Sequence, residues 1–224
     1  MLDFIKLVND GSKEKKLTDL ANKTILQDLY DKNLRGQKRA LSLNFWEDEE
    51  AFESIGKFIP GCFYIFKHQG ESLKTEDGLK EFHDILPIFL SLRVGDDKGR
   101  KFVFGINFNI LTKPVRAAIL QELYNMDKPF FDNLSKEHIK GRHVYSKTIL
   151  SAFAQDSGMR FCDYICTKYR IKKESIAFRK YYFDNILRYR MIDYWQWKYL
   201  PFLDVAQGVR GVELSKLQKQ SINK

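Results

Sequence analysis

Ile59-Pro60-Gly61-Cys62-Phe63-Tyr64-Ile65-Phe66 opens the stretch on which the fold turns. A Pro-Gly turn leads into a period-2 strand, with Cys62, Tyr64 and Phe66 on one face and Phe63 and Ile65 on the other. Nearly all of these side chains are apolar, so both faces are expected to be covered. The apolar pattern returns as Ile85 to Val94 and again as Lys101 to Leu111. Between these two runs, Gly95-Asp96-Asp97-Lys98-Gly99 carries the Gly and Asp that a hairpin connection needs. A helix from Pro114 to Met126 closes the unit. Thr112 can cap it, Pro114 suits its first turn, and Val115, Ala118, Ile119, Glu122 and Leu123 form its stripe, with Lys128-Pro129 as the stop. The pattern predicts three antiparallel strands with a packed helix, a small β-sheet or β-barrel module of SH3-like size.

Within that module, Gly105 interrupts Phe102-Val103-Phe104-Gly105-Ile106-Asn107-Phe108-Asn109-Ile110 and predicts a bulge or a close backbone approach. Asn107 and Asn109 share one strand face, a pair better suited to bonding a neighbouring loop than to reading a ligand. Pro87, in Leu86-Pro87, suits an edge strand or the start of a strand. Gln69 to His83 is polar, holds Gly70 and Gly78, and is too long for a tight hairpin, so an exposed excursion is expected.

Outside the module the pattern is helical. Leu17, Leu20, Ala21, Ile25, Leu26 and Leu29 recur at three- and four-residue intervals, an amphipathic face that Asn33 to Gly36 should end. Asn44 can cap a second helix whose first turn holds Glu47, Asp48, Glu49 and Glu50, a solvated acidic start rather than a metal site. In the second half, Val144 to Ala154 and Met159 to Tyr169 read as short helices separated by Gly158. Cys162, Ile165, Cys166 and Tyr169 make a core stripe on the latter. The chain divides into an N-terminal helical arm (1–58), the β module with its closing helix (59–127), a C-terminal helical region (128–203) and a polar tail (204–224), together one compact α+β domain.

At 224 residues, with 44% hydrophobic residues, 18 Phe and 11 Tyr, the chain has the material for a large core; a chain of this size buries about 70% of its unfolded surface. Thirty-eight Lys and Arg against 29 Asp and Glu give a net charge of +9, a field that favours nucleic acid, anionic surfaces or acidic proteins. Three cysteines, Cys62, Cys162 and Cys166, are an odd number without a Cys-x-x-Cys spacing, which argues against a disulfide framework or zinc site and for a reducing place of synthesis. The N-terminus lacks the basic-apolar order of a secretory signal, and no apolar run approaches the ~20 residues of a membrane span. A soluble, untargeted protein without membrane contact is expected.

Catalytic signatures do not emerge. His68, His83, His138 and His143 lie in polar stretches, and the five-residue spacing of His138 and His143 does not place two ligands on one helix face. The sequence contains no Gly-x-Ser-x-Gly elbow, Walker loop or Gly-x-Gly-x-x-Gly. The expectation is a non-enzyme without metal or cofactor. Charge is the stronger signal: from Arg160 to Arg190 nine bases stand against three acids. Interleaved with Tyr169, Phe178, Tyr181, Tyr182 and Tyr189, the bases Lys172, Lys173, Arg179, Lys180, Arg188 and Arg190 are candidates for phosphate contact. The competing reading makes the aromatics a helix core and the bases a solvated face or a contact with an acidic subunit.

The order Pro60-Gly61, Tyr64-x-Phe66, Asp84, Leu86-Pro87-Ile88, Gly105-x-Asn107 and Arg116 early in a helix resembles the DNA end-protector-like structural proteins of T-even-type tailed phages. Ile192-Asp193-Tyr194-Trp195-Gln196-Trp197 to Leu200-Pro201 is similar to that family's closing aromatic segment. Where the family has Tyr-Leu-Pro after the Asn, this chain has Ile110-Leu111-Thr112-Lys113-Pro114. The resemblance implies a virion protein, made in the host cytoplasm, that sits in the neck, tail or baseplate and touches other virion proteins in a ring or repeated assembly. Tyr194, Trp195, Trp197 and Phe202 are candidate interface anchors, because Tyr and Trp are favoured at interfaces, with core packing as the competing and commoner use of such side chains. Two other functions remain open: a DNA end-binding protein using the 160–190 bases, and a host-directed regulator outside the virion.

Overall fold

The computed structural model describes residues 3–21, 24, 58–68, 87–134, 145–154 and 157–203. The helix expected after Asn44, the Gln69 to His83 excursion, Asp84, three of the four histidines and the tail after Asp204 lie outside the described residues.

Among the described residues, five antiparallel strands form one open sheet: β1 (Phe63–His68), β2 (Ile88–Asp97), β3 (Arg100–Asn107), β4 (Phe178–Tyr182) and β5 (Ile186–Ile192), in the order β4-β3-β2-β1-β5. The α+β class holds, and the sheet is not a closed barrel. Flanking it are α1 (Phe4–Asn9), α2 (Glu14–Ala21), α3 (Lys113–Met126), α4 (Lys128–Asp132), α5 (Lys147–Ala154) and α6 (Ser157–Tyr169). A 3-10 segment, Tyr194–Phe202, is the last of the described elements.

The β2–β3 hairpin turns at Lys98-Gly99, both with positive φ (55° and 83°), the geometry of a tight two-residue connection. At Gly105 the β3 backbone comes close against β2; a Cβ there would lie 2.0 Å from the Leu90 carbonyl oxygen, so only glycine fits. The bulge falls on the partner strand, between Ser91 and Arg93. The third run ends as a strand at Asn107, and Phe108–Ile110 forms a 3-10 turn. Asn107 and Asn109 therefore do not share a strand face. Instead Asn107 Oδ1 accepts the Asn109 N–H at 2.9 Å, and its Nδ2 donates to Tyr181 Oη at 3.0 Å.

One sheet face carries a ring cluster of Tyr64, Phe66, Phe89, Tyr181 and Tyr189, joined by Phe58 with centroid separations of 4.6 to 5.8 Å to its neighbours. On the other face Phe63 packs edge-on against Phe108 (4.6 Å) and Trp197 (4.9 Å). One continuous apolar cluster runs from Phe4 to Leu203, so arm, module and C-terminal region share a core.

Three further expectations need correction. The C-terminal region is not wholly helical: Phe178–Tyr182 and Ile186–Ile192 are the two outer strands. Phe178, Tyr181 and Tyr182 fit a helical stripe by spacing, but the free flank of β3 is paired by β4, and tertiary pairing overrides the local pattern. Lys128-Pro129 does not merely stop α3. Asp127 caps a new helix, its carboxylate accepting the Phe130 N–H at 3.4 Å, and Pro129 sits in the first turn where its missing N–H is harmless. Gly158 lies inside α6, not between helices, and lets Leu92 approach.

Candidate interfaces with nucleic acid and subunits

The far end of the β4-β3-β2 half-sheet combines aromatic rings and cations in register. Arg93, Phe104 and Lys180 stand opposite one another across three strands, and Gly95, Phe102 and Tyr182 form the next rung on the same face. Phe104 and Phe178 stack at 5.7 Å with planes 7° apart, and both are half-buried. The Arg93 guanidinium lies 5.3 Å from the Phe104 centroid, that of Arg100 4.1 Å from Tyr182, and the Lys180 ammonium 4.7 Å from Phe102.

Acids answer part of this charge. Asp97 accepts from Lys180 Nζ (3.1 Å) and Tyr182 Oη (3.0 Å), bonds that hold its carboxyl below the usual carboxylate range and raise Lys180. Arg100 Nε donates to Asp184 at 3.2 Å. Both pairs are well exposed and screened, so a phosphate competes with them at little cost. Ring faces beside cations are the means by which single-stranded nucleic acid is held. Basic residues on an outer strand equally deter edge-to-edge pairing.

The six predicted phosphate contacts do not form one patch. Arg179 and Lys180 are exposed on β4, and Lys172 and Lys173 are exposed on the loop before it, where Lys173 pairs with Asp163 at 2.6 Å. Arg188 and Arg190 belong to β5, the opposite edge of the sheet, and Arg190 is buried at 7% exposure. Four strand spacings of ~4.8 Å separate the two edges. Conversely, Arg93, Arg100, Phe102 and Phe104 join the basic-aromatic face from the β2–β3 hairpin, and sequence proximity to the basic stretch did not mark them.

The four predicted interface aromatics also divide. Phe202 is sealed in the core. Tyr194 and Trp197 are core residues as well, with ring centroids 4.4 Å apart and the Trp197 indole donating to the Ile192 carbonyl at 3.4 Å. Trp195 is half-buried. Together with Phe4, Tyr124, Phe131, Asp132, Leu134 and Lys198, residues Tyr194, Trp195 and Trp197 line an open cleft of about 230 Å³.

Several of the residues quoted for the resemblance occupy joints. Gly61, with φ of +83°, donates its N–H to the Ser91 carbonyl at 2.7 Å, and the Tyr64 hydroxyl accepts the Ile59 N–H at 2.7 Å. Arg116, buried in α3, donates from Nε, Nη1 and Nη2 to the carbonyls of Leu111, Leu203 and Asn109 at 3.1, 2.8 and 3.2 Å. Gln196 Oε1 accepts the Asp193 N–H at 3.1 Å and starts the closing 3-10 segment. Among the described residues no cluster of His, Cys, Asp and Glu is placed to hold a metal, and no helix is long and apolar enough to cross a membrane. Comparison with protein-family models, curated proteins and solved structures finds no match.

Proposed function

We propose that this chain is a structural component of a tailed-phage virion, in the neck, tail or baseplate, which works through contacts with neighbouring subunits. The observation that carries this reading is the use to which the phage-like residues are put. Gly61, Tyr64, Gly105, Asn107 and Arg116 all serve turns, close strand approaches or carbonyl clamps. The resemblance is thus one of framework, which is what related virion parts with different neighbours would share. Mass spectrometry of purified particles tests the reading. A fixed copy number near a multiple of the local ring symmetry is expected, and absence from particles together with a cellular partner in a pull-down would favour the host-directed regulator instead.

A second reading, DNA end binding, draws support from the Arg93, Phe104, Lys180 rung and the stacked Phe104–Phe178 pair. Filter binding of linear DNA across a salt series tests it. Binding through phosphates weakens with a log–log slope of about −0.9 per phosphate contacted, and no retention at low salt removes the reading.

A further inference from the structure

The cleft lined by Phe4, Tyr124, Phe131, Tyr194, Trp195 and Trp197 is walled by six aromatic residues, with the exposed Asp132 at the same opening. The Tyr124 hydroxyl donates to the Asp132 carboxylate and fixes it beside the rings. Phe131 lies 5.5 Å from both Tyr124 and Trp197 and 5.6 Å from Tyr194, so the lining is a braced set of rings rather than a loose surface. Ring faces are electron-rich and attract cations, Trp most strongly, and a carboxylate adds a full opposite charge. At about 230 Å³ the cleft is smaller than the ~300–1,000 Å³ of small-molecule sites. That size suits one long side chain of a partner.

We propose that this cleft receives an arginine side chain from a partner protein, its guanidinium stacked on the Trp195 and Phe131 rings and paired with Asp132. Arginine fits better than lysine, because its planar, weakly hydrated head stacks on aromatic faces and meets a carboxylate with two parallel N–H donors. It is also enriched at interface hot spots. Lys198 lines the cleft too, and its ammonium rests 5.0 Å from the centroid of the Tyr199 ring. It opposes an incoming cation and sets the affinity below what the rings and Asp132 alone would give. The inference stands apart from the virion reading, since its test uses an isolated amino-acid derivative and no particle.

The test titrates N-acetyl-L-arginine amide into the full chain and follows the indole N–H signals of the three tryptophans by NMR, with Trp195 assigned from Trp195→Phe. The neutral isostere N-acetyl-L-citrulline amide and N-acetyl-L-lysine amide are run alongside. Saturable shifts at Trp195 with arginine, and binding at least about fivefold weaker for citrulline and lysine, are expected. Asp132→Asn, which keeps an acceptor for Tyr124, weakens arginine binding about fivefold, and Lys198→Ala strengthens it by a similar factor. Equal binding of citrulline, indifference to both substitutions, or no saturable shift at Trp195 overturns the proposal.

Discussion

Arg116 Nη1 donates to the carbonyl of Leu203 at 2.8 Å and thereby ties the first turn of α3 to the residue that caps the closing 3-10 segment, 87 positions away. The same guanidinium serves the Leu111 and Asn109 carbonyls, so a single side chain satisfies three backbone acceptors in a region that excludes water.

Arg116→Met keeps the stem and removes every donor. Each hydrogen bond from a charged group contributes about 1.5–3 kcal/mol, and buried carbonyls left without partners add their desolvation. A loss of about 4 kcal/mol and a fall in Tm on the order of 10 °C are expected in urea and thermal unfolding. Arg116→Lys recovers only part, because one ammonium cannot span three acceptors.

Two glycine substitutions should separate steric exclusion from backbone strain. Gly105→Ala places a methyl 2.0 Å from the Leu90 oxygen and within 2.7 Å of Phe89, so the β2–β3 register must give way at about 3 kcal/mol or more. Gly99→Ala meets nothing within 4 Å and costs only its positive φ, about 1 kcal/mol. Comparable losses for the two in urea unfolding would contradict the close approach.

Glu122 links α3 to α6 by accepting from Lys168 Nζ at 2.7 Å and Tyr169 Oη at 2.6 Å. Burial alone would raise its carboxyl, but these hydrogen bonds outweigh burial and hold it below the usual range. A depressed folded pKa contributes stability above the unfolded carboxyl value of ~4.3, and that stability is lost as pH falls through the lower folded value. The unfolding free-energy gap between the native chain and Glu122→Gln should be constant from about pH 6 upward and shrink below about pH 4. A gap that is flat down to pH 3 would refute the linkage.

The thiols should be inert in the folded chain. Burial pushes Cys62 and Cys162 up to about 12, and the half-buried Cys166 is raised too. At pH 8 an aromatic disulfide reagent should react with Cys62 and Cys162 on the order of a thousandfold more slowly than with a free thiol, Cys166 first, and all three promptly in urea.

If DNA is bound through the β4 face, Arg179→Ala and Lys180→Ala should each lessen the salt slope by about 0.9 and leave Tm nearly unchanged. Arg190→Ala, at a buried position on the far edge, should lower Tm and leave the slope alone. A slope that responds to Arg190 but not to Lys180 would move the contact to the other edge.

What was legible from local sequence were the features with local causes: the strand at Phe63, a hairpin somewhere within Gly95 to Gly99, the glycine demanded at 105, the helix after Thr112 and the cysteine stripe of α6. Each follows from a side-chain period or from a backbone angle that few residues tolerate. The candidate surfaces were only half legible. The basic stretch was visible as composition, but its bases went to both edges of the sheet, and half of the aromatic-basic face came from the β2–β3 hairpin.

By itself the sequence determined an α+β chain with a β module at 59–111, a closing helix and a strong positive charge. Only the tertiary structure decided that residues 178–192 are strands and that Asp132 stands beside the rings of Tyr194 and Trp197. Aromatic residues at short spacing satisfy helix and strand alike, and the choice falls to whichever partner offers unpaired backbone and apolar surface. Here that partner was the open flanks of β3 and β1, more than seventy residues away in the chain.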